Sequence, residues 1–294
     1  MVNIVLPGND TVQDWTKFIA ENQYIEKGES VNYDLRNIVR LRPHHLVTLA
    51  CLIESHSTSV NNRYLLNLND SVKAYLLNIG FTDYFDRKKD RPIGLIHSEN
   101  KSTLNLWKLR PEMINMYPVE AQRFYEGNAF KGKDLHALNT TLSEILNNFV
   151  DHTESTNFGF TATQFFENQG RLETAVCDFG GGIPSKVNAF FSKNNKEIVT
   201  NEQALRWAMQ IGNSTQSTPR NRGFGLDTLS SLIKKLKGEL RIVTNQVVLI
   251  QKGNEDFQIN SLSRSFPGTL ITVVLDITYL SNKEDFSSGS EELF

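Results

Sequence analysis

Short apolar runs and helical apolar stripes alternate along the first part of the chain. Val2 to Leu6 is a compact apolar run that reads as a strand, and Thr11 to Ile25 repeats its apolar positions at helical spacing. Asn37 to Leu41 is strand-like. Pro43 then suits the first turn of a helix through Leu46, Leu49, Leu52 and Ile53, because a helix start leaves unpaired the N–H that proline lacks. Tyr64 to Leu68 reads as a further strand. Asp70 is placed to cap a helix carrying Val72, Leu76 and Ile79, which Gly80 closes. Asp86 to Pro92 is dense in charge of both signs and reads as a solvated loop. This rhythm predicts a small α/β domain over residues 1–118.

The pattern then changes. Val119 to His152 is largely helical in spacing, with Gly127 and Gly132 as interruptions. Strands are predicted at Leu172–Asp178, Leu240–Thr244, Val247–Gln251 and Leu270–Asp276. Between them lie a polar stretch from Ser192 to Arg222 and a helix from Leu226 to Lys237, ended by Gly238. Within the polar stretch only Ala204 to Ile211 is apolar enough to pack. The expected architecture is α/β throughout, with a second domain over 119–280 and a polar tail over 281–294.

Composition adds exclusions. With 39% hydrophobic and 22% charged residues among 294, a packed core is feasible. A net charge of −2 gives no electrostatic case for nucleic acid or an anionic membrane as the main partner. No apolar run approaches the roughly 18–20 residues of a membrane span. Met1 to Pro7 is too short and uncharged for a signal peptide. Cys51 and Cys177 each sit alone in apolar sequence, which reads as two buried thiols and a cytoplasmic location.

Four pieces of the second half carry chemistry. In the helix ending at His152, Leu135, Leu138, Leu142, Ile145 and Phe149 form an apolar stripe. Glu144, Asn148, Asp151 and His152 share the other side. That is the pattern of an ordinary amphipathic helix. It is also what a Mg–nucleotide site would use, since an amide oxygen is a hard ligand and a carboxylate can take a proton from a nucleophile. Next, an alternating strand runs into Asp178, followed by Gly180 and Gly182. This is a glycine-rich turn, or a place where a carboxylate accepts a hydrogen bond from an exocyclic amine such as that of adenine. Third, Arg222-Gly223-Phe224-Gly225-Leu226 opens a helix with Leu229, Leu232, Ile233 and Leu236 on one face. Glycines there expose N–H groups to an anion, and Arg220 and Arg222 add positive charge. The Walker ending and the strand of a Rossmann turn are both missing. Last, Pro267-Gly268-Thr269 leads into a strand.

In order and spacing these pieces resemble the boxes of the GHKL ATPases, the superfamily of histidine kinases, DNA gyrase, the ninety-kilodalton heat-shock chaperones and MutL. Glu144-x-x-x-Asn148-x-x-x-His152 resembles the N box, and Asp178-x-Gly180-x-Gly182 the first glycine box. Gly223-x-Gly225-Leu226 resembles the second glycine box, and Gly268-Thr269 the late Gly-Thr pair. The match spans about residues 120–276. Its nearest flavour is the anti-sigma-factor serine kinase branch, which also carries a Gly-x-Ser-Thr, here Gly212-Asn213-Ser214-Thr215. The resemblance implies a Bergerat-type two-layer α/β sandwich that binds ATP and Mg²⁺. It implies Asn148 as the Mg²⁺ ligand and Glu144 as general base. Asp178 would read the adenine amine with Thr269 in support, beside a pocket shaped by Gly180 and Gly182. Gly223, Gly225 and Leu226 would cradle the phosphates under a lid from about Val187 to Arg222. Asp151 matches an aspartate that chaperone and gyrase members carry. Phe149 stands where a small residue is usual, which implies a differently shaped pocket floor.

Two departures bear on activity. No phosphoacceptor-histidine helix precedes the module, and His44 and His45 read as structural or surface residues, which disfavours a histidine autokinase. The chain runs only a short way past the last strand, so a domain supplying a phosphate-binding lysine, as in gyrase and MutL, is not expected. In the first half, Tyr64 to Phe81 resembles a STAS domain, with Ser71 near the place of its phosphorylated serine; the other reading is that Asp70 and Ser71 cap a helix. Two functions follow as expectations. In one, γ-phosphate passes to a serine or threonine of a regulatory protein partner, or to water. In the other, ATP occupancy switches a protein interface, and a homodimer fits either.

Overall fold

The computed structural model describes residues 1–8, 11–57, 59–86, 101–110, 113–150, 159–210, 213 and 225–283, with the side chains of 148 and 150 excepted. Strands β1 (Val2–Val5), β2 (Glu29–Asp34) and β3 (Val60–Leu66) form a parallel sheet in that order. They are joined by helices α1 (Val12–Asn22) and α2 (Pro43–His56). Two same-handed crossovers in one direction place both helices on one face of the sheet. Helices α3 (Asp70–Asn78) and α4 (Phe81–Phe85) follow. Thr11 caps α1 by accepting the N–H of Asp14 at 3.1 Å.

The second sheet is antiparallel, with strands β4 (Trp107–Leu109), β5 (Gly159–Phe166), β6 (Arg171–Asp178), β8 (Gln258–Asp276) and β7 (Glu239–Lys252) in that spatial order. It takes its edge strand β4 from the chain ahead of residue 118. Its front face is covered by helices α5 (Met116–Asn128), α6 (His136–Val150), α7 (Ile183–Lys193), α8 (Asn201–Ala208) and α9 (Gly225–Lys235). The whole chain is therefore α/β, as the sequence pattern predicts. The predicted stripe of α6 is buried from Leu135 to Phe149, and that of α9 buries Leu226, Leu229, Ile233 and Leu236.

The rear face of the antiparallel sheet is not left to solvent. Trp15, Phe18 and Ile19 of α1 and Leu46, Leu49 and Ile53 of α2 share a core with Phe160, Ala162, Ala175 and Cys177 of β5 and β6. Each such side chain contributes about 1.5–3 kcal/mol by leaving water. Ion pairs rim this seam: Arg42 with Glu173 at 2.7 Å and Lys108 with Glu54 at 2.5 Å. No helix among the described residues is long and apolar enough to cross a membrane.

Several local expectations need correction. Residues Asn37 to Leu41 form turns, not a strand; the strand is β2, whose Val31 and Tyr33 point inward between polar neighbours. The cap of α3 is Asn69, whose side chain accepts the N–H of Val72 at 2.9 Å; Asp70 is the first helical residue. Leu240–Thr244 and Val247–Gln251 are one strand, β7, with irregular register around Asn245. The expectation of two buried thiols holds, and the fold adds a contact between them. Both thiols are free and buried, and the Cys51 thiol donates to the Cys177 carbonyl at 3.4 Å. His44 and His45, expected to be structural or surface residues, are buried against each other.

Candidate functional site

Asp178 ends β6, and its register partner on β8 is Thr269. The chain turns immediately afterwards: the Gly180 N–H donates to Asp178 Oδ1 at 2.7 Å. Gly268, at φ +132°, lies flat on this turn. A Cβ there would run into the Asp178 carbonyl and come within 2.7 Å of the Gly180 nitrogen. The late Gly-Thr pair is thus built into the first glycine turn. Burial pushes the Asp178 carboxyl up to about 6, against the Gly180 N–H and the positive charge of Lys186, which pull it down.

Gly182 precedes α7 at φ +76°, and a Cβ on it would meet Thr244 Oγ1 at 2.8 Å. Thr244 fastens the turn. Its hydroxyl donates to the Gly268 carbonyl at 3.0 Å and accepts the Ile183 N–H at 2.9 Å. Asn245 donates to the Gly181 carbonyl at 3.2 Å. These two residues fix the glycine turn from β7. The motif pattern did not single them out, because their role depends on a strand neighbour far away in sequence.

Ile145 and Phe149 of α6, Val176, Ile183 and Ile271 enclose a small apolar pocket onto which Asp178, Thr269 and Lys186 also open. The free space is about 20 Å³, room for roughly one water by the usual cavity measure. Phe149 accounts for part of this: its ring abuts Gly159, where a Cβ would collide with it. Lys186 was also missed by the sequence pattern, although a lysine one turn into the helix after a glycine turn is a readable signal.

Glu144 lies on the same helix as Ile145 and Phe149 and is half-buried; burial raises its carboxyl above the ordinary value. Helix α6 packs directly against α9, whose first turn carries Gly225 and Leu226. So the described parts of the two segments that resemble the N box and the second glycine box are on neighbouring helices. The Asn148 side chain, Asp151, His152, Ser214, Thr215, Arg222, Gly223 and Phe224 lie outside the described residues. From Val187 to Gln210 the expected lid is mostly helical and anchored, with Val187, Ala204, Leu205 and Met209 buried in the front core.

The arrangement gathers a carboxylate, a hydroxyl beside it and apolar walls around a space that holds roughly one water, so a ring would enter only if a wall such as Phe149 moved. Among the described residues no cluster of three or more His, Cys, Asp or Glu side chains could hold a metal by itself. A metal here would depend on Asn148 and on a ligand's own oxygens. No protein-family model matches the chain, and no match is found among curated proteins.

Proposed function

We propose that the chain is a Mg-ATP-binding protein of the GHKL type that passes the γ-phosphate to a serine or threonine of a partner protein, or to water. The observation that carries this reading is the convergence of Asp178, Thr269, Gly180 and Gly268 at one end of β6 and β8. Asp178 accepts the adenine amine and Thr269 supports it. The apolar walls exclude water from the ring, which strengthens that hydrogen bond. Asn148 would hold Mg²⁺, which neutralises phosphate charge when bound. Glu144, with its carboxyl raised by burial, is suited to accept a proton from an attacking hydroxyl or water near neutral pH. Lys186, one turn into α7, adds positive charge beside the pocket. Calorimetric titration of the purified chain with Mg-ATP tests the reading: saturable binding with one site is expected, and no binding at millimolar ATP overturns it.

A further inference from the structure

Behind the antiparallel sheet, the packing of the N-terminal layer leaves a cavity of about 370 Å³. Its floor is a row across three strands. Ala175 on β6 is the register partner of Thr272 on β8, which in turn partners Arg241 on β7. Two small side chains beside one long cationic side chain create the hollow. Val243, Val248, Ile250 and Leu262 supply an apolar wall. The roof is the first turn of α1, with Val12 and Gln13, and the first turn of α2, with Pro43 and His44. Thr11 takes the Asp14 N–H and Pro43 has no N–H to offer, so what these helix starts bring to the roof is the positive end of each helix dipole.

The charges lining this cavity are unevenly matched. Arg42 pairs with Glu173 at 2.7 Å, and Arg171 with Glu239 at 3.6 Å. Arg241 has no such partner among the described residues, although it is partly buried and burial lowers its pKa. His44, 6% exposed, has an Nε2 without a hydrogen-bond partner. The buried, unpartnered His44 Nε2 costs free energy that a hydrogen bond to a bound anion would recover, and the half-buried Arg241 guanidinium supplies positive charge beside it. The cavity is on the opposite face of the sheet from the pocket of Phe149 and Ile271, and within the size range of small-molecule sites.

We infer that this cavity is a second binding site, for a small ligand with an anionic head, carboxylate or phosphate, on an apolar body. Arg241 and His44 hold the head under the N-terminal turn of α2, and the aliphatic wall takes the body. The test uses phenyl phosphate and benzoate as probes, with phenol as the uncharged control, titrated into the full chain without nucleotide and followed by methyl NMR. At least one anion is expected to bind ten-fold or more tightly than phenol and to shift the methyls of Val243, Val248 and Ile250. Which anion binds identifies the head group. Arg241→Gln is expected to weaken that binding at least ten-fold, whereas Asp178→Asn leaves it within two-fold. Three results would overturn the inference: no preference for either anion over phenol, shifts confined to the Phe149 pocket, or unchanged affinity in a folded Arg241→Gln variant.

Discussion

Asp178 and Thr269 stand opposite each other on neighbouring antiparallel strands, and Gly268 is pressed onto the backbone that follows Asp178. The carboxylate that would read an adenine amine and the hydroxyl that would support it are therefore held by one sheet register. A shift of one residue in β8 would turn Thr269 to the rear face and bring Leu270 forward. The register of β6 and β8 alone keeps the two side chains on the same face.

Asp178→Asn is expected to weaken ATP binding by about 1.5–3 kcal/mol, the range for a hydrogen bond to a charged group. It should also stabilise the ligand-free protein. The carboxyl titrates at about 6 in the fold against an ordinary 3.8. Its contribution to stability is therefore complete below 3.8 and lost as pH rises through about 6. The gap corresponds to at most ~3 kcal/mol, and partial exposure reduces it to about 1–2 kcal/mol at neutral pH. The amide avoids that cost and can still accept the Gly180 N–H. Calorimetry and denaturant unfolding on one preparation check both signs; a variant that binds ATP normally removes Asp178 from the adenine role.

The same titration sets a pH dependence. Adenosine, which lacks the phosphates that would titrate nearby, is expected to bind with constant affinity above about pH 7. Affinity should fall as pH drops through about 6, where Asp178 takes up a proton. In Asp178→Asn this slope should vanish. An equal slope in both proteins would place the titrating group elsewhere.

Gly268→Ala probes the joint between the two motifs. At φ +132° the added methyl is strained and meets the Asp178–Gly180 backbone, which cannot move away as a flexible side chain could. A loss of about 1–3 kcal/mol in unfolding free energy is expected, together with weaker nucleotide binding. Gly253→Ala is the comparison: it also sits at positive φ, but a Cβ there meets nothing within 4 Å. Equal losses in the two would show backbone strain alone and no close approach.

The α/β class and both amphipathic helices of the site could be read from periodicity, because each helix has one apolar face; strand β6, buried on both sides, could be read from its largely apolar Leu172 to Cys177 run ending at Asp178. Strand β5 could not. Its Gly159 to Thr163 run is buried on both sides, so alternation is erased, and it is built from Gly, Phe, Thr and Ala, which carry no strong apolar signal. Strand β2 was hidden for the opposite reason, with polar Ser30 and Asn32 flanking Val31 and Tyr33. Within the site, Asp178 and the glycines were legible because a strand end and backbone freedom leave marks in local sequence. Thr244, Asn245 and the contact of Cys51 with Cys177 were not, because only the fold brings distant segments together.

Asn148→Ala addresses the metal. Its backbone lies in α6 one turn beyond Glu144. If its amide oxygen ligates Mg²⁺ as proposed, its removal should abolish the gain in ATP affinity that Mg²⁺ gives, while binding in EDTA persists through Asp178 and the glycine turns. Titrations with and without Mg²⁺ separate this from a folding defect, which would lower both equally.

Glu144→Gln separates turnover from binding. The carboxylate is half-buried on α6, on the helix whose Ile145 and Phe149 line the small apolar pocket beside Asp178, and burial raises its proton affinity. Both features suit a base acting on a hydroxyl or water near neutral pH. Removing a general base typically costs about 10²–10⁴ in rate. Glutamine keeps the size and most of the hydrogen bonding but cannot take the proton. Ground-state affinity should change little, because in the proposed reading the adenine contacts would come from Asp178, Thr269 and apolar walls. The expected outcome is near-normal Mg-ATP binding by calorimetry with phosphate release or transfer reduced by that factor. Turnover equal to wild type would leave Glu144 as a polar residue on an amphipathic helix and remove it from the mechanism. If wild type binds ATP but turns over none with any partner tested, occupancy itself is the signal. The protein would then act as a switch, and Glu144→Gln should leave its nucleotide-dependent conformational change, read by hydrogen exchange across residues 192–222, intact.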